Sequence, residues 1–247
     1  MRQNFGKIES FEKTERGVRM SFSKDGAMNS AEAALIAVAV GWAADTDRLN
    51  LSTARIDTDQ RGFLRVDGYL RTSVPHIFAA GDVTGRIMLV PQAIQDGFVA
   101  ATNAVRGAKL KAGSPVNPIG SFTDPEYAHV GITEKKARES HNVVTAVVRF
   151  DSATRTIIDG RTSGFCKLIV DRATSRILGC HVVGERAVDI TQVAAIAIAA
   201  GMRVDELAQV PLSFPTYTGI LGRAAATAAR QLNLTVTWQA NQAEDAA

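Results

Sequence analysis

The stretch Thr72–Asp82, TSVPHIFAAGD, followed at Met88–Ala93 by MLVPQA, decides how the chain is read. Pro75 starts a strand, Ile77-Phe78-Ala79-Ala80 is a short apolar run, and Gly81 lets a ligand approach the backbone. Asp82 then stands just outside the strand's carboxyl end, where open α/β sheets bind ligands. A carboxylate at that place accepts hydrogen bonds from sugar-like hydroxyls. The helix that starts after Met88-Leu89-Val90 presents unpaired N–H groups, which suit a pyrophosphate or an electron-rich ring oxygen. Pro91 has no N–H but fits the first helical position, so the donors fall to Val90 or Gln92. A plain strand-to-turn transition would also read Ala-x-Gly-Asp. Thr72, Pro75 and the Met88-Leu89-Val90 lead into a helix favour the ligand site.

Around this stretch the bulk properties are those of an ordinary globular chain. At 247 residues it can bury a sizeable core in one or two domains. The net charge is only +3, Lys and Arg are scattered, and aromatics make up 6%, which is no footprint for nucleic acid. Met1–Ser10 has no apolar core of a signal peptide, and the apolar runs Ala33–Val40 and Ala187–Ala200 are too short to span a bilayer. No membrane association and a cytoplasmic location are expected. Cys166 and Cys180 form no disulfide framework, and neither they nor the four histidines (His76, His129, His141, His181) have metal-ligand spacing. No metal site is expected.

Along the chain, Gly17–Ser23 alternates as a half-buried strand, Lys24-Asp25-Gly26 is a turn, and Ala34–Val40 reads as a fully buried strand ending at Gly41. Arg61–Thr72 supplies a strand and turn before the opening motif. Gln92–Val105 predicts a helix with apolar positions at Ala93, Ile94, Gly97, Phe98, Ala101 and Val105, closed by Gly107. Arg106–Pro118 is the clearest linker. Beyond it, Thr133 is placed to cap a helix over Glu134–Ser140, and Phe165–Val170 and Ile177–Val183 read as paired strands around the turn Asp171–Ser175. Arg186–Ala200 is a helix apolar nearly all round, closed by Gly201 and suited to burial, often against a second subunit. A last helix runs from about Tyr217 to Gln231.

These segments, in this order, resemble the FAD-dependent pyridine nucleotide-disulfide oxidoreductases, the family of dihydrolipoamide dehydrogenase, glutathione reductase and mercuric reductase. Thr123-Asp124-Pro125-Glu126 with Val130-Gly131 matches the opening of that family's interface domain. The resemblance implies an α/β plus α+β chain, in which an incomplete FAD/NAD(P)-binding domain precedes an α+β interface domain with an antiparallel sheet. Residues 1–40 would be the end of the NAD(P)-binding domain, 41–117 the C-terminal part of the FAD-binding domain, 118–235 the dimerisation domain, and 236–247 a disordered tail. The implied cofactor is FAD, with NAD(P)H as electron donor in the complete enzyme, a small-molecule electron acceptor, and a homodimer joined through the C-terminal domain. The implied cofactor-binding residues are Gly41, Gly81, Asp82, Met88, Leu89, Val90, Gln92 and Ala93.

Departures from the family carry equal weight. After its exit strand the family reads Thr-Gly-Arg-x-Pro-Asn; here Val40-Gly41-Trp42-Ala43-Ala44-Asp45 keeps only the glycine. No Gly-x-Gly-x-x-Gly phosphate turn and no helical Cys-x4-Cys pair is present, so the chain reads as the C-terminal portion of such an enzyme. Disulfide reductases of this family use a His before Pro-Thr as acid–base and a Glu five residues later to orient it. In Ser213-Phe214-Pro215-Thr216-Tyr217-Thr218-Gly219 those two positions hold Phe214 and Gly219, neither of which transfers a proton. No catalytic residue is assigned, although Tyr217 could donate a proton or simply pack. The expected acceptor is therefore quinone- or dye-like rather than lipoamide. Two alternatives stay open: a non-catalytic dimerisation module, and a disulfide reductase completed by residues upstream.

Overall fold

A computed structural model describes residues 6–113 and 116–236. Three strands, β1 (Lys7–Thr14), β2 (Gly17–Lys24) and β3 (Ala27–Ala33), form an antiparallel meander. The alternation at Gly17–Ser23 thus becomes β2, joined to β3 by the expected turn. The buried strand expected at Ala34–Val40 does not form. Its residues are irregular, and Leu35, Val38 and Val40 lie exposed. An apolar run becomes an interior strand only between hydrogen-bonding neighbours, and none of the described strands flanks it.

The opening motif is also less regular than expected. Pro75 sits in a turn, and the run Ile77–Ala80 contributes a single bridge, Phe78 to Arg71, instead of a strand. Local hydrogen bonds hold the segment. The Thr72 hydroxyl donates to the Val74 and Ile77 carbonyls, and Asp67 accepts from the N–H groups of Tyr69 and Arg71. A longer helix than predicted follows, α1 (Val90–Arg106), with proline in its first turn and Gly107 at its end.

The second unit is a five-stranded antiparallel sheet. Its strands are β4 (Ile119–Ser121), β5 (Tyr127–Gly131), β6 (Val143–Arg149), β7 (Phe165–Asp171) and β8 (Ile177–Val183), in the spatial order β4-β5-β8-β7-β6. A short helix, α2 (Glu134–Arg138), begins at Thr133, whose side chain accepts from the Lys136 N–H as expected of an N-cap. The one-turn helix α3 (Thr154–Ile158) follows β6.

Helices α4 (Ala187–Ala199), α5 (Val204–Gln209) and α6 (Gly219–Gln231) cover one sheet face: α4 lies on β5 and β8, α6 on β6 and β7, and α5 on α6. The fully buried Leu168, Val170, Val182, Ile190, Ile220 and Leu221 join in one core with a row of alanines on α6 that lets helix and sheet approach closely. Glu126 ties β5 to α4 by accepting from the Val188 N–H in the helix's first turn. Val236 closes the described chain, buried in this core; the rest of the expected tail lies outside the described residues.

Candidate functional site

Two places bear on function. At the first, Gly81 leads into Asp82 with φ +76 and Gly85 follows with φ +64. A Cβ on Gly85 would fall 2.6 Å from Cγ of Phe63, so only glycine fits there. Asp82 is exposed and opens onto a cavity of about 230 Å³ shared with Trp42, Ala43, Ala44, Asp45, Phe63, Val83 and Met88. Among the described residues no hydrogen bond engages its carboxylate, whereas the Thr84 hydroxyl donates to the Gly81 carbonyl and fixes the turn behind it. A free carboxylate beside an apolar wall fits a polyhydroxylated chain attached to a flat ring.

Of the residues assigned to the cofactor from sequence, the structure brings Asp82 and Met88 together at this cavity. Gly81 is buried directly behind, with Ala93 against it: a Cβ there would meet that of Ala93 at 3.4 Å. Gly41 lies next to the cavity's Trp42 with φ +121 and does not line it, and Leu89, Val90 and Gln92 do not line it either. The Gln92 side chain is engaged elsewhere. It donates to Asp96 at 2.6 Å and accepts from Asn117 at 2.8 Å, while Asp96 pairs with Arg86 at 3.1 Å. This buried polar network, which the sequence reading missed, links α1 to the threshold of the second unit.

The second place is the loop between α5 and α6. Phe214 is 80% exposed, and Gly219 starts α6. The Tyr217 hydroxyl donates to Asp159 at 2.7 Å, and Arg155 binds the same carboxylate oxygen at 2.8 Å. Burial, then the Asp159 carboxylate, pushes the Tyr217 phenol up to about 12. The hydrogen bond from Tyr217, reinforced by Arg155, holds the Asp159 carboxyl below its usual range. The phenolic proton is thus committed to Asp159. Beside this loop lies a larger cavity of about 420 Å³.

Cys166 and Cys180 sit fully buried on neighbouring strands, facing the helices. A hydrogen bond with Cys180, with burial behind it, pushes the Cys166 thiol well up, which suits structural thiols. On the sheet's other face the register sets His129 opposite His181, with rings 5.6 Å apart edge to face. Burial and the neighbouring His181 lower the His129 pKa. Among the described residues no three His, Cys, Asp or Glu gather around one point, and no helix is long and apolar enough to cross a membrane.

A sheet-and-helix unit bearing this loop, joined to a Gly-Asp turn before a proline-started helix, defines a flavoprotein reductase fold. The chain belongs to the pyridine nucleotide-disulphide oxidoreductase family: the family description matches residues 6–97, and that of its dimerisation domain matches residues 117–225. It is similar to mercuric reductase of Lysinibacillus sphaericus, 33% identical over 91% of this chain and 42% of that protein. It is 34% identical to dihydrolipoyl dehydrogenase of Vibrio cholerae over 89% of this chain and 46% of that one. Among solved structures, the HOCl-induced flavoprotein disulfide reductase RclA of Escherichia coli superposes with TM-score 0.77 at 23% identity, covering 89% of this chain and 50% of the other. LpdA of Mycobacterium tuberculosis superposes with TM-score 0.76 at 26% identity, over 89% and 47%. The chain therefore spans about half the length of the relatives it matches.

Proposed function

We propose that the chain is the acceptor-side and dimer-forming part of a flavoprotein oxidoreductase whose acceptor is quinone- or dye-like, not a disulfide. FAD, when bound, takes hydride from NAD(P)H and hands electrons to the acceptor. The chain's own residues hold and shield. Asp82 accepts hydrogen bonds from cofactor hydroxyls, with the Met88 and Phe63 side chains walling the cavity. The observation that carries the acceptor preference is the loop at 213–219. Phe214 and Gly219 stand where disulfide reductases place an acid–base pair, and the Tyr217 proton is held by Asp159. A thiol leaving group would find no proton donor there, whereas a quinone-like acceptor does not require a protein thiol partner.

Two measurements test this. FAD titrated into the purified chain should quench flavin fluorescence, and Asp82→Ala should weaken binding by about 10-fold or more, the value of a hydrogen bond to a charged group. In the complete enzyme, with NAD(P)H as donor, quinone reduction should exceed lipoamide reduction; comparable rates would overturn the acceptor reading. The second reading, a non-catalytic dimerisation module, draws on the missing phosphate turns together with the match of residues 117–225. A colourless dimer that takes up no flavin would favour it.

A further inference from the structure

The 420 Å³ cavity lies between the turn that begins at Ala153, the end of α5, and the first turns of α6. Its volume is within the range of small-molecule sites. The walls are aliphatic: Val210, Pro211, Leu212 and Ile220, with Phe214 and Pro215 at the acceptor loop. Among the described residues no Asp or Glu lines it, but two arginines do, Arg155 and Arg223. Each is positioned from behind by one acceptor. Arg155 uses Nε on Asp159, and Arg223 uses one terminal nitrogen on the Ser152 carbonyl. Each guanidinium carries five N–H groups, so donors remain for a ligand. Asp159 offsets one of the two charges, which leaves a net positive charge among largely apolar lining residues.

From this we infer that the cavity is a binding site for a flat quinone- or dye-like ring that carries one anionic group, its ring against Phe214 and Pro215 and that group, such as a carboxylate, between Arg155 and Arg223. The assignment rests on the reading of residues 213–219 as the acceptor loop, and it narrows the acceptor class to quinone- or dye-like rings that carry one anionic substituent. A neutral ring would gain the apolar contact and lose the charge-assisted hydrogen bonds, which are about twice as strong as neutral ones. A cationic ring would meet two guanidinium groups and be rejected.

The test uses the purified 247-residue chain at pH 7 with no flavin added, titrated calorimetrically with 2-naphthoate and with its neutral counterpart 2-naphthalenemethanol. The naphthoate should bind with unit stoichiometry and at least about 5-fold more tightly than the alcohol, as expected for a charge-assisted contact. Arg155→Gln and Arg223→Gln should each remove most of that difference while leaving the alcohol's affinity unchanged. Val210→Trp, at an exposed wall position, should block both ligands, with an unchanged melting temperature showing that the fold is intact. Equal affinity for anion and alcohol, or naphthoate binding indifferent to all three substitutions, would overturn the assignment. Because the titration needs no cofactor, its failure leaves the flavin reading standing, and failure of FAD to bind leaves this result untouched.

Discussion

At the scale of single residues, the functional loop is governed by a pair that sequence separation hides. Tyr217 and Asp159 are 58 positions apart, and only the approach of the loop before α6 to the end of α3 makes them partners. Tyr217 could be suspected of chemistry from its place after Pro-Thr, but its committed proton could not be read there. The bond has a pH signature at each end. The Tyr217 pKa lies above the ordinary value near 10, so its contribution to stability is complete below pH 10 and is lost as pH rises through about 12. The Asp159 pKa is depressed, so its contribution is present above the ordinary carboxylate range and lost as pH falls through the folded value. Absorbance titration of the phenolates should therefore show a tyrosine ionising near 12, and Tyr217→Phe should abolish that step. Gly85 permits a second test. Gly85→Ala puts a methyl against Phe63 at positive φ, so the ring must move into the Asp82 cavity. Thermal stability should fall by about 1–3 kcal/mol, as for overpacking, and flavin affinity should fall with it.

At the scale of elements, α1 shows what a pattern specifies and what it leaves open. The 3.6-residue period is plain in the sequence, and the helix forms. The side it buries is the polar one: Gln92, Asp96, Ala100 and Asn103. Ile94, Phe98 and Val105 face outward, Phe98 with 70% of its surface exposed. Periodicity reports the presence of a face, while the partner that covers it is set by residues far along the chain. Asn103 makes four hydrogen bonds, donating to the Tyr69 and Leu110 carbonyls and accepting from the Lys109 and Leu110 N–H groups. That fixes the start of what composition marks as a linker. Asn103→Ala should cost about 1–2 kcal/mol, since it leaves part-buried backbone groups without their partner, and hydrogen exchange should accelerate across residues 107–112. Phe98→Ser should change stability in this chain by less than about 0.5 kcal/mol. In the second unit the elements read from the sequence (α2, β7, β8, α4 and α6) coincide closely with the structure, because their apolar faces are covered within the same hundred or so residues. Strands β4, β5 and β6 and helices α3 and α5 have no counterpart in that reading.

Across the whole molecule, legibility follows closure of the core. Between residues 117 and 236 the sheet and its helices enclose their own apolar side chains, and the expected strands Phe165–Val170 and Ile177–Val183 appear within a residue. Between residues 6 and 60 little is enclosed. The β1–β2–β3 sheet packs closely only within itself, and Phe22 is its one buried side chain among the described residues. The apolar run Ala34–Val40 therefore read as a core strand, since nothing in its own sequence tells whether a neighbour is supplied. A three-stranded sheet with one buried anchor is near the lower limit of independent stability, and exposed irregular segments are where local opening is cheapest. Limited proteolysis should accordingly cut first within residues 34–60 and remove the β1–β3 sheet early. A fragment starting near residue 117 should persist, with the hydrogen-exchange protection of β7 and β8 intact. Cleavage first within α4 or α6, or simultaneous loss of both units, would show instead that the small sheet is held by contacts the core of the second unit depends on.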